Sequence, residues 1–345
     1  MTPTDIERIV ARRLFPGHPS ETTLLETHIS WIILTDVFAF KIKKPVHFHF
    51  LDFKTPAARQ HFCEEELRLN QRLVPDIYLG VLPVGSAGIG DPHLPRLDSA
   101  LWMRRMDNSR EMDKLLRDHL VTPADMEHLA ALLAPFHRQN RLYPTAAAYD
   151  VENDIALFAD LFTLQSDWEK YTGDTHSPRR WKKHLRPLLQ ELAPHLSDRA
   201  QRGFRVDGHG DLHSRNIILP PNKTPIVFDC LEFNPDYRRM DVLSELAFLC
   251  MDLEFYGQND LSAAFLAAYQ RHWPILENAT DHRCFTFYKA YRANVRLKIT
   301  LLELGQHPTE ALADAARSYG HLLKIYTSEC LGADTDHPTD TRKSS

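Results

Sequence analysis

In the run "HGDLHSRN" (209–216) a carboxylate, Asp211, stands five residues before a carboxamide, Asn216, and a second carboxylate, Asp229, follows thirteen residues later. Each of the three has an ordinary role as a turn or cap residue. Their arrangement says more. Between Asn216 and Asp229 lies "IILPPNKTPIVF", two apolar stretches joined by a turn, and a hairpin of that length brings Asp229 back beside Asn216. The chain then holds one carboxylate able to meet a hydroxyl nucleophile, and a carboxamide–carboxylate pair suited to a divalent cation. Phosphoryl transfer needs that equipment. Its transition state is loose, so the protein mainly positions groups and neutralises charge on the phosphate oxygens.

Other elements must position these groups. "TTLLE" (22–26), "WIILT" (31–35) and "VFAFKIK" (37–43) are short and rich in β-branched or aromatic residues, which predicts three strands after an N-terminal helix. "TPAARQHFCEEELRLNQRL" (55–73) predicts a helix with Thr55 as N-cap and Pro56 at its first position. "IYLGVLPVG" and "SALWMRRM" predict a further strand pair around the turn-rich "SAGIGDPHLPRLD". Beyond Asp107 the pattern is mostly helical. "TPADMEHLAALLAPFHRQN" opens on the capping pair Thr122 and Asp125, and residues 150–202 continue as helices with a polar break at "YTGDTHSPRR". Helices resume at Asp241 and run to about Cys330, before a small, polar tail that is expected to be disordered.

With these elements in view, "HGDLHSRN…VFD" resembles the protein-kinase-like fold, specifically the aminoglycoside phosphotransferase family, whose H-G-D-x4-N differs from the H-R-D-x4-N of protein kinases by the glycine at 210. The resemblance covers about residues 22–107 and 122–255. "THISWIILTDVFAFKIKKPV", "CEEELRLN" and "FDCLEFN" further resemble a bacterial phosphotransferase-like branch, many of whose members carry a C-terminal P-loop kinase domain; this chain has no GxxxxGK[ST]. The resemblance implies an α+β, two-lobed fold with ATP and Mg2+ in the cleft. It implies Asp211 as catalytic base, Asn216 and Asp229 as magnesium ligands, and His209 as a brace of the loop. The lobes are expected at 1–107, a nucleotide-binding sheet plus helix, and 108–332, a helical lobe with the catalytic loop, with 333–345 as the tail.

A kinase-like N-lobe also needs a strand lysine for the phosphates and a helix glutamate to hold it. Ala39 and Lys41 share a strand face, as the alanine and lysine of V-A-I-K do, so Lys41 is the candidate and Lys43, on the same face, the reserve. In the helix, Phe62, Leu69 and Leu73 mark the expected buried stripe. Glu66 falls on it, Glu65 at its edge, and Glu64 points away. A carboxylate on such a stripe is costly unless paired, so Glu66 is the expected partner of Lys41 and Glu65 the alternative. No glycine occurs between Gly17 and Gly80, so a glycine-rich phosphate loop is missing, and Ser30 with the "THIS" backbone is expected in its place. Met103 ends the linker strand, and adenine is expected on the backbone between Arg104 and Met106. Asp241 resembles the aspartate that anchors the catalytic loop. It follows Asp229 by 241 − 229 = 12 residues, too few for an activation segment. Glu232 is expected either to assist the metal or to cap its turn.

Composition excludes several classes. The chain has 345 residues, 43% hydrophobic and 25% charged, enough for a sizeable core, and its formal net charge of −5 does not suit a nucleic-acid binder driven by bulk charge. The start "MTPTDIERIVARRLFPG" lacks an apolar signal core, and no run is long enough for a membrane helix. Five scattered cysteines without a CxxC pair fit reduced, buried thiols in the cytoplasm, and nineteen histidines without an HExxH spacing give no zinc site. The expectation is therefore a constitutively assembled kinase for a small-molecule hydroxyl acceptor, using ATP or another nucleoside triphosphate with Mg2+. The alternatives are a nucleotide-binding regulatory domain without turnover and a kinase acting on a macromolecular hydroxyl. In "FYKAYRANVRLKI", Lys289, Arg292 and Arg296 share one side of a largely buried helix. They are expected either to pair with carboxylates such as Asp252 or Glu254, or to face an anionic acceptor.

Overall fold

The computed structural model of the chain describes residues 1–332 except 18, 49–50, 92, 94, 144–148 and 222, so the expected disordered tail at 333–345 lies outside the described residues. In chain order come α1 (Pro3–Ala11), β1 (Thr22–Glu26), β2 (Ser30–Thr35), β3 (Phe38–Lys43), the short strands β4 (His47–Phe48) and β5 (Leu51–Asp52), α2 (Pro56–Asn70), β6 (Tyr78–Gly85), β7 (Gly88–Ile89) and β8 (Asp98–Arg104). There follow α3 (Met112–Arg117), α4 (Pro123–Gln139), β9 (Arg141–Leu142), α5 (Val151–Phe162), α6 (Gln165–Thr172), α7 (Ser177–Gln201) and β10 (Arg205–Asp207). The chain continues with β11 (Ile217–Ile218), β12 (Ile226–Val227), α8 (Val242–Phe255), α9 (Asn259–His272), α10 (Ala279–Gln306) and α11 (Glu310–Leu331). By backbone proximity the chain forms two units, one of 1–140 with 207–240, the other of 141–206 with 241 onward. The segment 207–240 thus groups with the sheet, whereas a lobe boundary after Asp107 groups it with the helices.

In the first unit, six strands among the described residues form a sheet in the order β1-β2-β3-β8-β6-β7. Strand β3 lies inside it, with Lys41 opposite Ile32 of β2 and opposite Leu101 of β8. Alternation then sorts the side chains. Phe40 and Ile42 point to one face and pack with Trp31, Ile33 and the α1 residues Ile6 and Ile9. Both are fully buried, each contributing about 1.5–3 kcal/mol. Ala39 points to the other face, with Tyr78, Leu101 and Met103, where Leu67 of α2 packs. Lys41 and Lys43 share that second face.

Helix α2 begins where expected. Thr55 accepts from the Ala58 amide at 3.1 Å, and Pro56 follows in the first turn. Its buried stripe differs from the apolar one expected. Arg59, Cys63, Glu66, Leu69 and Asn70 are buried, while Phe62 and Leu73 are only half-buried. Polar groups can occupy that stripe because they are paired: Arg59 donates to Asp98 at 2.7–3.0 Å and to the Phe53 carbonyl at 2.8 Å.

In the second unit, α8 and α10 pack together. Here the basic stripe takes the packing role of the two expected. Lys289 lies 3.1 Å from Glu254, Arg292 donates to the Ser244 carbonyl at 3.3 Å and covers the Phe248 ring, and Arg296 donates to the Tyr319 hydroxyl at 3.2 Å. The stripe therefore supplies no ground for an anionic acceptor. Asp241 takes a two-pronged bond from Arg199, at 2.8 and 2.9 Å, and caps α8 through the Leu243 amide. Among the described residues no helix is long and apolar enough to cross a membrane.

Candidate active site

The loop 209–216 leads into a two-strand ladder in which Ile217 faces Val227 and Ile218 faces Ile226. The Phe228 amide then donates to the Asn216 carbonyl at 3.0 Å, so Asp229 comes one residue past Asn216's neighbour, as the hairpin predicts. Gly210 is required for two reasons. Its φ is +87°, and a Cβ there would meet the Cβ atoms of Arg238 and Leu231 at 3.0 and 3.1 Å. An arginine, as in H-R-D, would be strained on this backbone.

His209 is fully buried and spans the loop: Nδ1 accepts from the Asp211 amide at 3.3 Å, so Nε2 carries the proton and donates to the Phe228 carbonyl at 2.8 Å. Asp211 is held by its own loop. Asn216 Nδ2 donates to the Asp211 carbonyl at 2.9 Å and to Oδ2 at 3.0 Å. His213 adds a donor. Its Nδ1 accepts from the Arg215 amide, which leaves the proton on Nε2, 3.3 Å from Asp211 Oδ2. His213 was not singled out in the sequence, although a second histidine two residues after Asp211 was the visible signal.

Lys41 meets its expected partner Glu66 and, beyond what was expected, Asp229 as well. Its ammonium lies 2.8 Å from Glu66 Oε1 and 2.8 Å from Asp229 Oδ1. Glu65 instead pairs with Arg68 on the surface of α2 at 2.7 Å. Lys43 is engaged as well, 2.6 Å from Glu66 Oε2 and bonded to Glu232 Oε1. Burial alone would raise the Glu66 carboxyl, but the two lysines hold it down at about 2. Burial likewise works against a charged Lys41, and Asp229 and Glu66 outweigh it, so its pKa lies well above the ordinary lysine range. Glu232 is 7% exposed at its side chain and bound to Lys43, so it is neither a turn cap nor turned outward to a metal.

Asp229 has a left-handed backbone, φ +62°, which costs a non-glycine residue about 1–2 kcal/mol. The surroundings impose it. The Asp229 amide donates to the Tyr78 hydroxyl at 3.1 Å, the Cys230 amide to Asn70 Oδ1 at 2.9 Å, and the Leu231 amide to the His209 carbonyl at 3.0 Å. Neither Asn70 nor Tyr78 was foreseen. Their sequence signals, a polar residue one turn past Glu66 and an aromatic at the start of a strand, are too common to stand out.

The remaining candidates are less closely joined. Ser30 lies opposite Lys43 in the sheet, is fully buried, and its hydroxyl has no hydrogen-bond partner among the described residues. Met103 is buried beside Ala39. The Arg104 and Arg105 amides donate to the Ile77 and Val37 carbonyls, whereas the Met106 amide has no partner among the described residues. No cluster of three or more His, Cys, Asp or Glu among the described residues could hold a metal ion by itself. The donors available are Asp229, whose side chain is 43% exposed, and Asn216, whose carboxamide nitrogen is turned to Asp211 and its oxygen away. Two hard oxygen donors suit Mg2+, which takes one or two protein ligands and fills its shell with water and phosphate oxygens.

Residues 51–278 match the phosphotransferase enzyme family. Uncharacterized proteins of Mycobacterium tuberculosis and Mycobacterium bovis are 32% identical over 304 residues, 86% of this chain; the chain spans 58% of the length of these curated relatives. Among solved structures, choline kinase from Cryptosporidium parvum is similar at TM-score 0.54 and 13% identity, covering 95% of this chain and 96% of that one. The GDP complex of aminoglycoside 2'-phosphotransferase-IIIa is similar at TM-score 0.54 and 14% identity, covering 95% and 99%. A choline/ethanolamine kinase family protein from Mesorhizobium loti gives TM-score 0.53 at 15% identity, covering 96% and 100%. The fold is thus kinase-like, an antiparallel sheet unit with a helical C-terminal part.

Proposed function

Since the chain belongs to the phosphotransferase enzyme family, we propose that it transfers the γ-phosphoryl group of ATP to a hydroxyl of a small molecule. Asp211 takes the acceptor's proton as the oxygen attacks phosphorus, and Asn216 and His213 keep its carboxylate oriented. Lys41, held by Glu66, contacts the α- and β-phosphates. Met103 lines the adenine site and the Met106 amide offers it a donor. His209 ties the loop to the Phe228 carbonyl, and Ser30 lies at the phosphate end of the sheet. Asn216 and Asp229 would hold Mg2+, whose charge offsets that of the phosphate oxygens when bound.

The observation that carries this reading is the Lys41 ammonium at 2.8 Å from both Glu66 and Asp229, which joins β3, α2 and the segment after β12 in one arrangement. A small acceptor is favoured because only a short 3-10 turn, Pro235–Tyr237, and the short strand Arg239–Asp241 lie between Glu232 and α8, leaving no room for an activation segment. We place the protein in the cytoplasm, where its five free, buried cysteines would stay reduced.

The test is an ATP-consumption screen over hydroxylated metabolites, sugars, amino alcohols and aminoglycosides, run with wild type and Asp211→Asn. ADP formation that depends on an acceptor and is lost in the variant is the expected result. Acceptor-dependent turnover that Asp211→Asn leaves intact would remove Asp211 from the chemistry. No turnover with any acceptor, despite tight nucleotide binding, would favour a regulatory domain.

A further inference from the structure

One lysine is enough to hold phosphates, yet two are buried here. Lys43 is 1% exposed at its side chain, as is Glu66, and Glu232 is 7% exposed. Glu66 is shared, Oε1 to Lys41 and Oε2 to Lys43. The result is a line of five charges alternating in sign: Asp229, Lys41, Glu66, Lys43, Glu232. One end, Asp229, is 43% exposed, and the other is closed. Strand β3 supplies both cations two residues apart, and the turn after β12 supplies both terminal carboxylates three residues apart. The same turn is therefore stapled to β3 twice, with the α2 carboxylate between the staples.

This arrangement is costly. Each buried ion loses several kcal/mol of solvation, and apolar side chains of similar volume often fill such space at no loss of stability. Lys43 keeps its charge, because Glu232 and Glu66 outweigh the burial that opposes it. Glu232 has only one lysine, and burial raises its pKa. A pair retained at that cost calls for a role besides filling.

Building on the proposed function, we infer that Lys43 and Glu232 are positioning residues for nucleotide binding. Lys43 fixes the second oxygen of Glu66, so Glu66 presents its first oxygen to Lys41 in a single orientation. Glu232 holds the far end of the turn that carries Asp229. The phosphate-binding ammonium is thereby set before the nucleotide arrives, and α2 need not move to assemble the site. Lys43 touches no phosphate itself.

The experiment titrates a non-hydrolysable MgATP analogue, and adenosine, into wild type, Glu232→Gln, Lys43→Met and the Lys43→Met/Glu232→Gln double variant, with Tm recorded for each. Misplacing Lys41 weakens contacts to phosphate alone. Lys43→Met is expected to raise the analogue's Kd at least tenfold and leave that of adenosine within twofold. The double variant, which no longer buries an unpaired Glu232 charge, is expected to regain most of the lost Tm but not the affinity. Glu232→Gln, the mildest change, keeps the design readable if Lys43→Met does not fold, and is expected to weaken the analogue several-fold. Recovery of both Tm and wild-type Kd in the double variant, with no effect of Glu232→Gln on Kd, would overturn the inference and leave the pair a packing feature. Failure of wild type to bind the analogue would instead overturn the kinase reading on which it rests.

Discussion

Helices α2 and α10 both bury charge, and they do so differently. On α10, Lys289 meets Glu254, and Arg292 and Arg296 reach oxygens of Ser244 and Tyr319. On α2, Glu66 serves two lysines at once, and the line it joins ends at Asp229, which is half open and left-handed in its backbone. Burial alone does not separate the two, since Arg292 is 6% and Glu66 0% exposed. What separates them is where the charge leads. A closed set of partners satisfies itself and stabilises. A line that runs to an exposed carboxylate on a strained turn leaves one charge open to solvent, and strain of that kind persists only where surrounding bonds impose it.

The largest effect that could break this comparison lies at the loop bonded through its backbone to the segment that carries Asp229. Asp211→Asn is expected to cut acceptor-dependent turnover by about 10²–10⁴-fold with nucleotide Kd nearly unchanged. Steady-state assays and calorimetry check the split, and a comparable loss of nucleotide affinity would mean that Asp211 organises the site rather than acting in the step. Asp229→Ala comes next. It is expected to abolish the dependence of nucleotide affinity on magnesium, measured by titration with and without the ion. An unchanged magnesium dependence would make Asp229 only a partner of Lys41.

The other side of the comparison is tested by Lys289→Met. It is expected to lower unfolding free energy by about 2 kcal/mol in denaturant, because it leaves Glu254 short of a charged partner, and to leave nucleotide Kd unaltered. A change in Kd would give α10 a share in binding. The smallest effect concerns pH. The Glu66 carboxyl is held at about 2, below its ordinary value of 4.5, so its contribution is complete above about 4.5 and disappears as pH falls towards 2. Glu66→Gln is expected to flatten the fall in stability across that window by about one proton's worth of slope, read from denaturant midpoints at several pH values. An unchanged slope would mean that Glu66 titrates normally and that the lysines do not hold it.

Much of the arrangement was legible along the chain. Short spacings carry local geometry, so the Thr55 cap, the capping pair Thr122 and Asp125, and the return of Asp229 beside Asn216 all follow from nearby residues. Period-two alternation put Ala39, Lys41 and Lys43 on one face, and helical periodicity put Glu66 rather than Glu65 towards the sheet. The apolar stripe expected from Phe62 and Leu73 was less well drawn. Burial of Arg59 and Asn70 depends on partners elsewhere in the chain, and residue type alone marks them as solvent-facing.

Sequence by itself determined the main strands of the sheet, the long helices and the face that Ala39, Lys41 and Lys43 share, because these depend on neighbours a few residues away. Only the tertiary structure decided that Lys41 and Lys43 both bind Glu66, that Glu232 turns inward, and that the basic stripe of α10 is closed. Those outcomes rest on contacts across 25 residues from Lys41 to Glu66, 23 from Lys43 to Glu66, 189 from Lys43 to Glu232 and 35 from Lys289 to Glu254. A buried charge is tolerated only where such distant partners meet it, and no local pattern records whether they do.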